Sequence, residues 1–238
     1  MTDSKPLAGK LALVTGASRG IGAATAEAIA AAGAHVVLVA RTGKALEEVE
    51  ERIHEAGGSA TIAPLDLTDG ESIAKLAAAV AERWNAIDIM VLNAAMLGSL
   101  TPVEHIDAKE YSKLLATNLI ANQALIAAFD PMLRRAEQAD IVAVTSSVGR
   151  EPRAFWGAYG SSKAALEALV LAYADETEHA GKIRVHIVDP GASRTRMRQL
   201  ALPGEEPDSV KPPEVAAKAI LRRLLADAKT GERIRVEA

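Results

Sequence analysis

Short, nearly continuous apolar runs alternate along this chain with stretches whose apolar residues recur at helical spacing. Leu11 to Val14 ends at Thr15-Gly16, and Ala23 to Ala32 follows as an Ala-rich helical stretch stopped by Gly33. His35 to Ala40 is a second run, and Lys44 to Ala56 carries Leu46, Val49 and Ile53 on one helical face before Gly57-Gly58. Further strands are predicted over Thr61 to Leu65, Ile87 to Leu92, Ile141 to Thr145 and Ile183 to Val188. Helical stretches separate them at Ser72 to Trp84, Glu104 to Phe129 and Tyr159 to His179. A last helix, Pro213 to Ala226, and a short strand, Arg233 to Val236, close the pattern.

Strands that are apolar throughout, rather than at every second position, are buried on both faces. Alternation with helices then calls for a doubly wound α/β fold, a parallel sheet of about seven strands with helices on both faces. No internal repeat or Ser/Gly linker divides the chain, so residues 1–238 read as a single domain. The Pro- and acid-rich stretch from Pro203 to Pro213 is too short for a linker and reads as a loop or lid.

Composition narrows the function. The 27 Lys and Arg against 31 Asp and Glu leave a net charge of −4, which disfavours a nucleic-acid or anionic-membrane partner. Without cysteine there is no disulfide, thiolate metal site or Cys nucleophile, in keeping with a reducing compartment. Met1 to Lys10 is polar and shows no secretory leader, and no apolar run approaches the ~20 residues of a spanning helix, so a cytoplasmic location is expected. The five histidines are scattered without ligand spacing, and no metal site is expected.

The turn after the first strand reads Thr15-Gly16-Ala17-Ser18-Arg19-Gly20-Ile21-Gly22 and opens the first helix. Glycines there let the backbone approach a pyrophosphate, whose charge meets free amides and the positive end of the helix dipole. The second strand ends at Arg41, where an acid would bond the ribose hydroxyl of NAD. Arg41 with Arg19 can instead clamp a 2′-phosphate, so NADP is favoured over NAD; two solvated arginines are the alternative. Tyr159 and Lys163 stand at i, i+4 on one helical face, and Ser146 lies thirteen positions before the tyrosine at a strand's carboxyl end.

With these motifs the chain resembles the short-chain dehydrogenase/reductase family over nearly its whole length. The matching residues are the Thr15 to Gly22 turn, Asp66, Asn93-Ala94-Ala95, Asn118, Ser146 with Gly149, Tyr159 with Lys163, and Pro190-Gly191 followed by Thr195. The resemblance implies a Rossmann-like fold and an oxidoreductase interconverting a carbonyl and a secondary alcohol. It implies that Asn118, Ser146, Tyr159 and Lys163 form a catalytic tetrad. On the cofactor side it implies Gly16, Ser18, Arg19, Gly20, Ile21, Gly22, Arg41, Asp66 and Leu67 by the adenine, Asn93, Ala94, Pro190, Gly191 and Thr195, with Tyr159 and Lys163 also reaching the cofactor. Two departures stand out: Ala95 replaces the family's usual glycine, and Ser147 adjoins Ser146, whose assignment rests on its spacing to Tyr159 and Gly149.

The tyrosine's role has a physical argument of its own. Hydride arriving at a carbonyl makes an alkoxide that needs a proton, and Tyr159 is the expected donor. A lysine ammonium at ~4 Å supplies roughly 4 kcal/mol at an effective dielectric of about 20, nearly enough to bring a phenol of pKa ~10 toward neutrality. Ser146 is expected to donate to the substrate oxygen, and Asn118, as in the family, to hold a water relaying protons to Lys163.

Met96, Leu97, Phe155, Trp156, Met197 and Leu200 are expected around the substrate, with 197–213 as a lid. Trp156 packing under the helix start is the alternative. Arg150 and Arg153 leave room for an anionic end on the substrate, and Arg194, Arg196 and Arg198 meet either such a group or solvent. Leu115, Ile120, Leu166, Leu169 and Val170 exceed what one sheet face covers, which together with the resemblance implies a homodimer or homotetramer. Two other readings share the fold. An epimerase or dehydratase of the extended relatives usually needs a larger carboxyl-terminal region, for which 238 residues leave no room, and a non-catalytic nucleotide sensor is expected to lose Tyr or Lys.

Overall fold

The computed structural model describes residues 5–237; Met1–Ser4, part of the segment read for a leader, and Ala238 lie outside the described residues. Seven parallel strands form one sheet in the order β3-β2-β1-β4-β5-β6-β7. They are β1 Leu11–Thr15, β2 His35–Ala40, β3 Ser59–Pro64, β4 Ile89–Leu92, β5 Ala139–Val144, β6 Ile183–Asp189 and β7 Glu232–Arg235. The helices are α1 Gly20–Ala31, α2 Gly43–Glu55, α3 Gly70–Arg83, α4 Ala108–Leu115, α5 Ala121–Leu133, α6 Gly157–Glu178, α7 Arg196–Ala201 and α8 Pro213–Leu225.

The central strands are buried on both faces because successive side chains enter different cores. Leu11 and Leu13 join Ile73, Val80, Leu125, Phe129, Leu166 and Val170 on the α3, α5 and α6 side. Ala12 and Val14 join Ala26, Ile29, Val49, Ile53, Ile220 and Leu224 on the α1, α2 and α8 side. Alternate pointing along a pleated strand thus fills two cores from one apolar run. Leu166 and Val170 are completely buried within the subunit, so they do not serve an oligomer interface as expected.

The expected Glu104–Phe129 helix is different in kind. A short 3-10 turn, Val103–His105, comes first, and Asp107 then caps α4 by accepting the Glu110 amide at 2.8 Å. Between α4 and α5 the helix passes through a π turn, Ala116–Ile120, and continues past Phe129 to Leu133. Asn118, completely buried inside this π turn, pairs with the backbone of Met96: Oδ1 accepts the amide at 2.7 Å and Nδ2 donates to the carbonyl at 2.9 Å. A side chain that bonds to a neighbouring strand's end holds the widened turn, and such turns cluster at functional sites.

The chain reverses its direction of progress across the sheet between β1 and β4, which are neighbours. Their carboxyl ends flank the crevice where open α/β sheets bind ligands.

Candidate active site

At that crevice Thr15 joins the two strand ends. Its buried hydroxyl donates to the Val91 carbonyl at 3.1 Å and accepts the amides of Asn93 and Ala94 at 3.0 and 3.1 Å. Asn93 Nδ2 donates to the Thr15 carbonyl at 2.9 Å and lies 3.4 Å from the Gly16 carbonyl. Asn93 is therefore occupied in holding the glycine turn.

The turn fits a nucleotide. Gly16 and Gly20 have φ of +65° and +56°, a region that L side chains avoid. A Cβ on Gly16 would stand 2.8 Å from Asn93 Nδ2, and one on Gly22 would collide with the Gly16 carbonyl. Helix α1 starts after Arg19 with no side-chain cap, leaving its first amides open to an anion. Thr195 lies over the turn, 3.3 Å from where a Cβ on Gly20 would be, and caps α7 by accepting the Arg198 amide.

Arg19 and Arg41 are exposed and form no ion pair among the described residues. Thr42 leaves the start of α2 without a side-chain cap, so Arg41 stands beside a second open helix end. Asp66 accepts the Thr68 amide at 2.9 Å and hydroxyl at 2.8 Å, which hold its carboxyl below the usual range with help from Arg41 and Lys113. Leu67 is buried beside it in the core. Pro190 is buried at the end of β6, and Gly191 turns at φ +62° where a Cβ would stand 2.6 Å from the Val236 carbonyl.

Ser146 follows β5 in extended backbone and begins the turn Ser147–Gly149. That turn lies against α6 because both contact points lack a side chain: a Cβ on Gly149 would be 3.1 Å from the Ala164 nitrogen, and one on Gly160 would be 2.7 Å from the Val148 carbonyl. Tyr159 and Lys163 sit on the facing turns of α6, both buried. Lys163 Nζ donates to the Val144 carbonyl at 2.9 Å and stands 5.8 Å from the centre of the Tyr159 ring. Trp156 meets that ring edge to face at 6.0 Å. Thr25 Oγ1 is the one sealed-off side-chain polar atom without a partner among the described residues. The Ser146 and Tyr159 hydroxyls make no hydrogen bond there either, so both open onto the crevice.

The electrostatics correct the expectation for Tyr159. Burial pushes its phenol up, and the Asp189 carboxylate pushes it further, instead of Lys163 drawing it down. Burial also lowers Lys163 to about 8, while Glu167 pulls in the opposite sense. The lysine is anchored on Val144, and desolvation of the phenolate raises the phenol. Asn118 Nδ2 also donates to Ser162 Oγ at 3.0 Å, and its backbone carbonyl accepts Asn122 Nδ2 at 2.8 Å, while Oδ1 and that carbonyl each keep a second lone pair.

The segment read as a lid holds more interactions than its composition suggested. Arg198 pairs with Glu205, Arg194 Nη1 meets Asp208 at 2.6 Å, and Ser193 bridges to Lys211. Gly160 and Ser162 were not singled out in the sequence; glycine one residue after the tyrosine was the available signal for close packing of the serine turn. Among the described residues no cluster of three metal-binding side chains forms, and no helix is long and apolar enough to cross a membrane.

Comparison with known proteins agrees with this arrangement. The family described as short chain dehydrogenase matches residues 10–206. The Escherichia coli protein named uncharacterized oxidoreductase YciK is 35% identical over 207 residues, covering 86% of this chain and 81% of that protein. A short chain dehydrogenase from Shigella flexneri, solved with NADP, shares the fold at a TM-score of 0.94 and 33% identity, covering 99% of this chain and 100% of that one. Another from Escherichia coli CFT073, solved with NADPH, has a TM-score of 0.92 at 33% identity and covers 99% of this chain and 100% of that one. With a family match across most of its length and relatives that share the fold and identity at this level, the chain belongs to the short chain dehydrogenase family of oxidoreductases.

Proposed function

We propose that the protein is an NADP(H)-dependent oxidoreductase that interconverts a carbonyl and a secondary alcohol, with Tyr159 as the proton donor and acceptor. One observation carries this reading. A lysine only 1% exposed is held over the end of β5 beside a buried tyrosine whose hydroxyl opens onto the crevice. Burying an ammonium is costly, and a strongly perturbed pair in a cleft marks chemistry more often than cohesion.

The glycine turn with the open start of α1 would hold the pyrophosphate, and Arg41 with Arg19 the 2′-phosphate, as the NADP and NADPH complexes of two relatives support. Bound there, the cofactor supplies or accepts a hydride at the substrate carbon. Tyr159, kept protonated at neutral pH by burial, hands its proton to the developing alkoxide. Ser146 offers its hydroxyl to the same oxygen, and Lys163 stabilises the phenolate left behind. Asn118 shapes the π turn and the Met96 loop and would hold a water relaying protons to Lys163.

The substrate side is apolar. Phe155 is the only non-glycine residue with positive φ among those described, at 71°, and the residue is 56% exposed next to Trp156. Its carbonyl accepts the Thr101 amide at 3.1 Å, which fixes this conformation against the loop after β4. Strain that keeps an aromatic ring in solvent beside the proton donor suits a substrate with an apolar body.

The test is turnover of NADPH against ketones, acyl thioesters, sugars and steroids, with cofactor titrations beside it. Reduction of at least one apolar ketone, and tighter binding of NADPH than NADH, are expected. Arg41→Ala should weaken NADPH roughly tenfold, about 1.4 kcal/mol, and leave NADH unchanged. Equal affinities in the parent would overturn the cofactor assignment. Cofactor binding without turnover across the panel would favour the nucleotide sensor.

A further inference from the structure

Glu167 lies one helical turn beyond Lys163 on α6 and is 4% exposed, on a face otherwise formed by Leu166 and Val170. Its carboxylate is bonded on both sides of the serine turn. Oε1 accepts the Thr145 hydroxyl, and Oε2 accepts Arg150 Nε at 2.7 Å. Thr145 immediately precedes Ser146, and Arg150 immediately follows Gly149 at the turn's other end. From β7, Arg233 Nη2 stands 3.5 Å from Glu167 Oε1, 3.5 Å from the Ser146 carbonyl and 3.8 Å from Asp189 Oδ2. Three successive residues at the end of β5 are thus held in turn, Val144 by Lys163, Thr145 by Glu167 and Ser146 by Arg233.

We propose that Glu167 is a positioning residue for catalysis, clamping both ends of the Ser146 turn and setting a negative charge one helical turn from Lys163. Cohesion alone gives no reason for this residue. A carboxylate taken out of water carries a large desolvation cost, and an apolar side chain of similar volume would pack against Leu166 and Val170 without it. What the charge adds is a negative group facing Lys163, opposed in sign to Arg150 and Arg233, which would otherwise leave two guanidinium groups close to a buried ammonium. The other charged or titratable groups near this site are Asp189, at the end of β6 beside Arg233, and Tyr159 on α6 itself. Glu167 raises the pKa of Lys163 against burial, in keeping with that role.

The proposal rests on the oxidoreductase reading for its kinetic arm only. In that arm Glu167→Gln, which keeps the shape and can still accept the Thr145 hydroxyl, should lower kcat on the order of tenfold with the NADPH dissociation constant unchanged. Its alkaline limb should move to lower pH by roughly one unit, because the lysine loses its proton earlier without the carboxylate. Glu167→Asp, which keeps the charge, should recover the limb's position.

The second arm needs no turnover. With lysines labelled at 13Cε and the Lys163 signal assigned by its loss in Lys163→Met, the titration midpoint should fall in Glu167→Gln and return toward the parent's in Glu167→Asp. Should Glu167→Gln not fold, a raised Lys163 midpoint in both Arg150→Met and Arg233→Met would support the proposal through the remaining charges, and an unmoved one in both would overturn it. An unmoved midpoint across the Glu167 variants, or a pH limb that stays in place while only the melting temperature drops, would overturn it. A parent enzyme inactive on every carbonyl would remove the oxidoreductase reading and leave the Lys163 titration standing as the test.

Discussion

At the residue scale the site sets a costly group against a useful one. Lys163 is held near 8 in the folded protein, whereas an unfolded lysine titrates near 10.5, so between these values the unfolded state binds more protons. Stability should therefore rise with pH across that window, and at neutral pH the buried ammonium costs about 3 kcal/mol relative to the unfolded chain. Lys163→Met removes this term. Urea unfolding at pH 7 and near pH 10.5 should show the parent gaining stability relative to that variant by up to about 3 kcal/mol, and a difference that does not change with pH would remove the desolvated ammonium. For Tyr159 the expectation is separate: Tyr159→Phe should abolish turnover while NADPH binding persists, because the phenol donates no structural hydrogen bond among the described residues. Stopped-flow turnover beside a fluorescence titration of NADPH checks both halves, and residual activity above about 1% would reassign the proton donor.

At the element scale, backbone without side chains brings segments together. The β1 end, the start of α1 and Asn93 meet only because Gly16 and Gly22 leave room, while Gly149 and Gly160 let the serine turn lie on α6. Gly22→Ala drives a methyl into the Gly16 carbonyl, which must shift. The expected loss is about 1–3 kcal/mol of stability, with NADPH binding lost as well, since the same turn holds the pyrophosphate. Differential scanning calorimetry with and without NADPH measures both; a variant as stable as the parent that still gains melting temperature from NADPH would show that the turn has another way to relax. The π turn between α4 and α5 acts similarly. Its widened backbone is held by Asn118 on Met96 and by Asn122 on the Asn118 carbonyl, so one buried amide links the central helix to the loop after β4.

For the whole molecule, the outer faces of α4 and α6 and the π turn between α4 and α5 carry exposed or half-buried apolar positions. Ile120 is 58% exposed, and Ala164 and Ala168 present a smooth exposed face on α6. Leu115 and Leu169 are half-buried, which leaves them available to a second copy in a way that Leu166 and Val170 are not. A homo-oligomer paired through these helices is the expectation, and Ala168→Arg should dissociate it by placing a charge in an apolar contact. Light scattering at micromolar concentration decides it: a monomeric parent, or a variant with the parent's mass, would refute the pairing.

The amino-acid sequence by itself determined the order of elements, the double burial of the central strands and the glycine turn, because period-two and period-3.6 patterns and the need for positive φ are local properties. It also showed Tyr159, Lys163 and Ser146, whose spacing survives translation into one helix and one strand end. It did not show the break before α4 or the π turn, since both come from Asp107 and Asn118 finding backbone partners, and Met96 lies 22 positions away from Asn118. Only the tertiary structure decided in which direction the two groups shift. A tyrosine beside a lysine looks like a lowered phenol when distance alone is counted, yet desolvation depends on everything packed around both groups, and here it wins. Glu167 and Arg233 likewise had no motif to announce them. They are 66 positions apart and meet at one turn because β7 lies beside β6 at the edge of the sheet, so their charges matter to Ser146 and Lys163 only once the chain has folded.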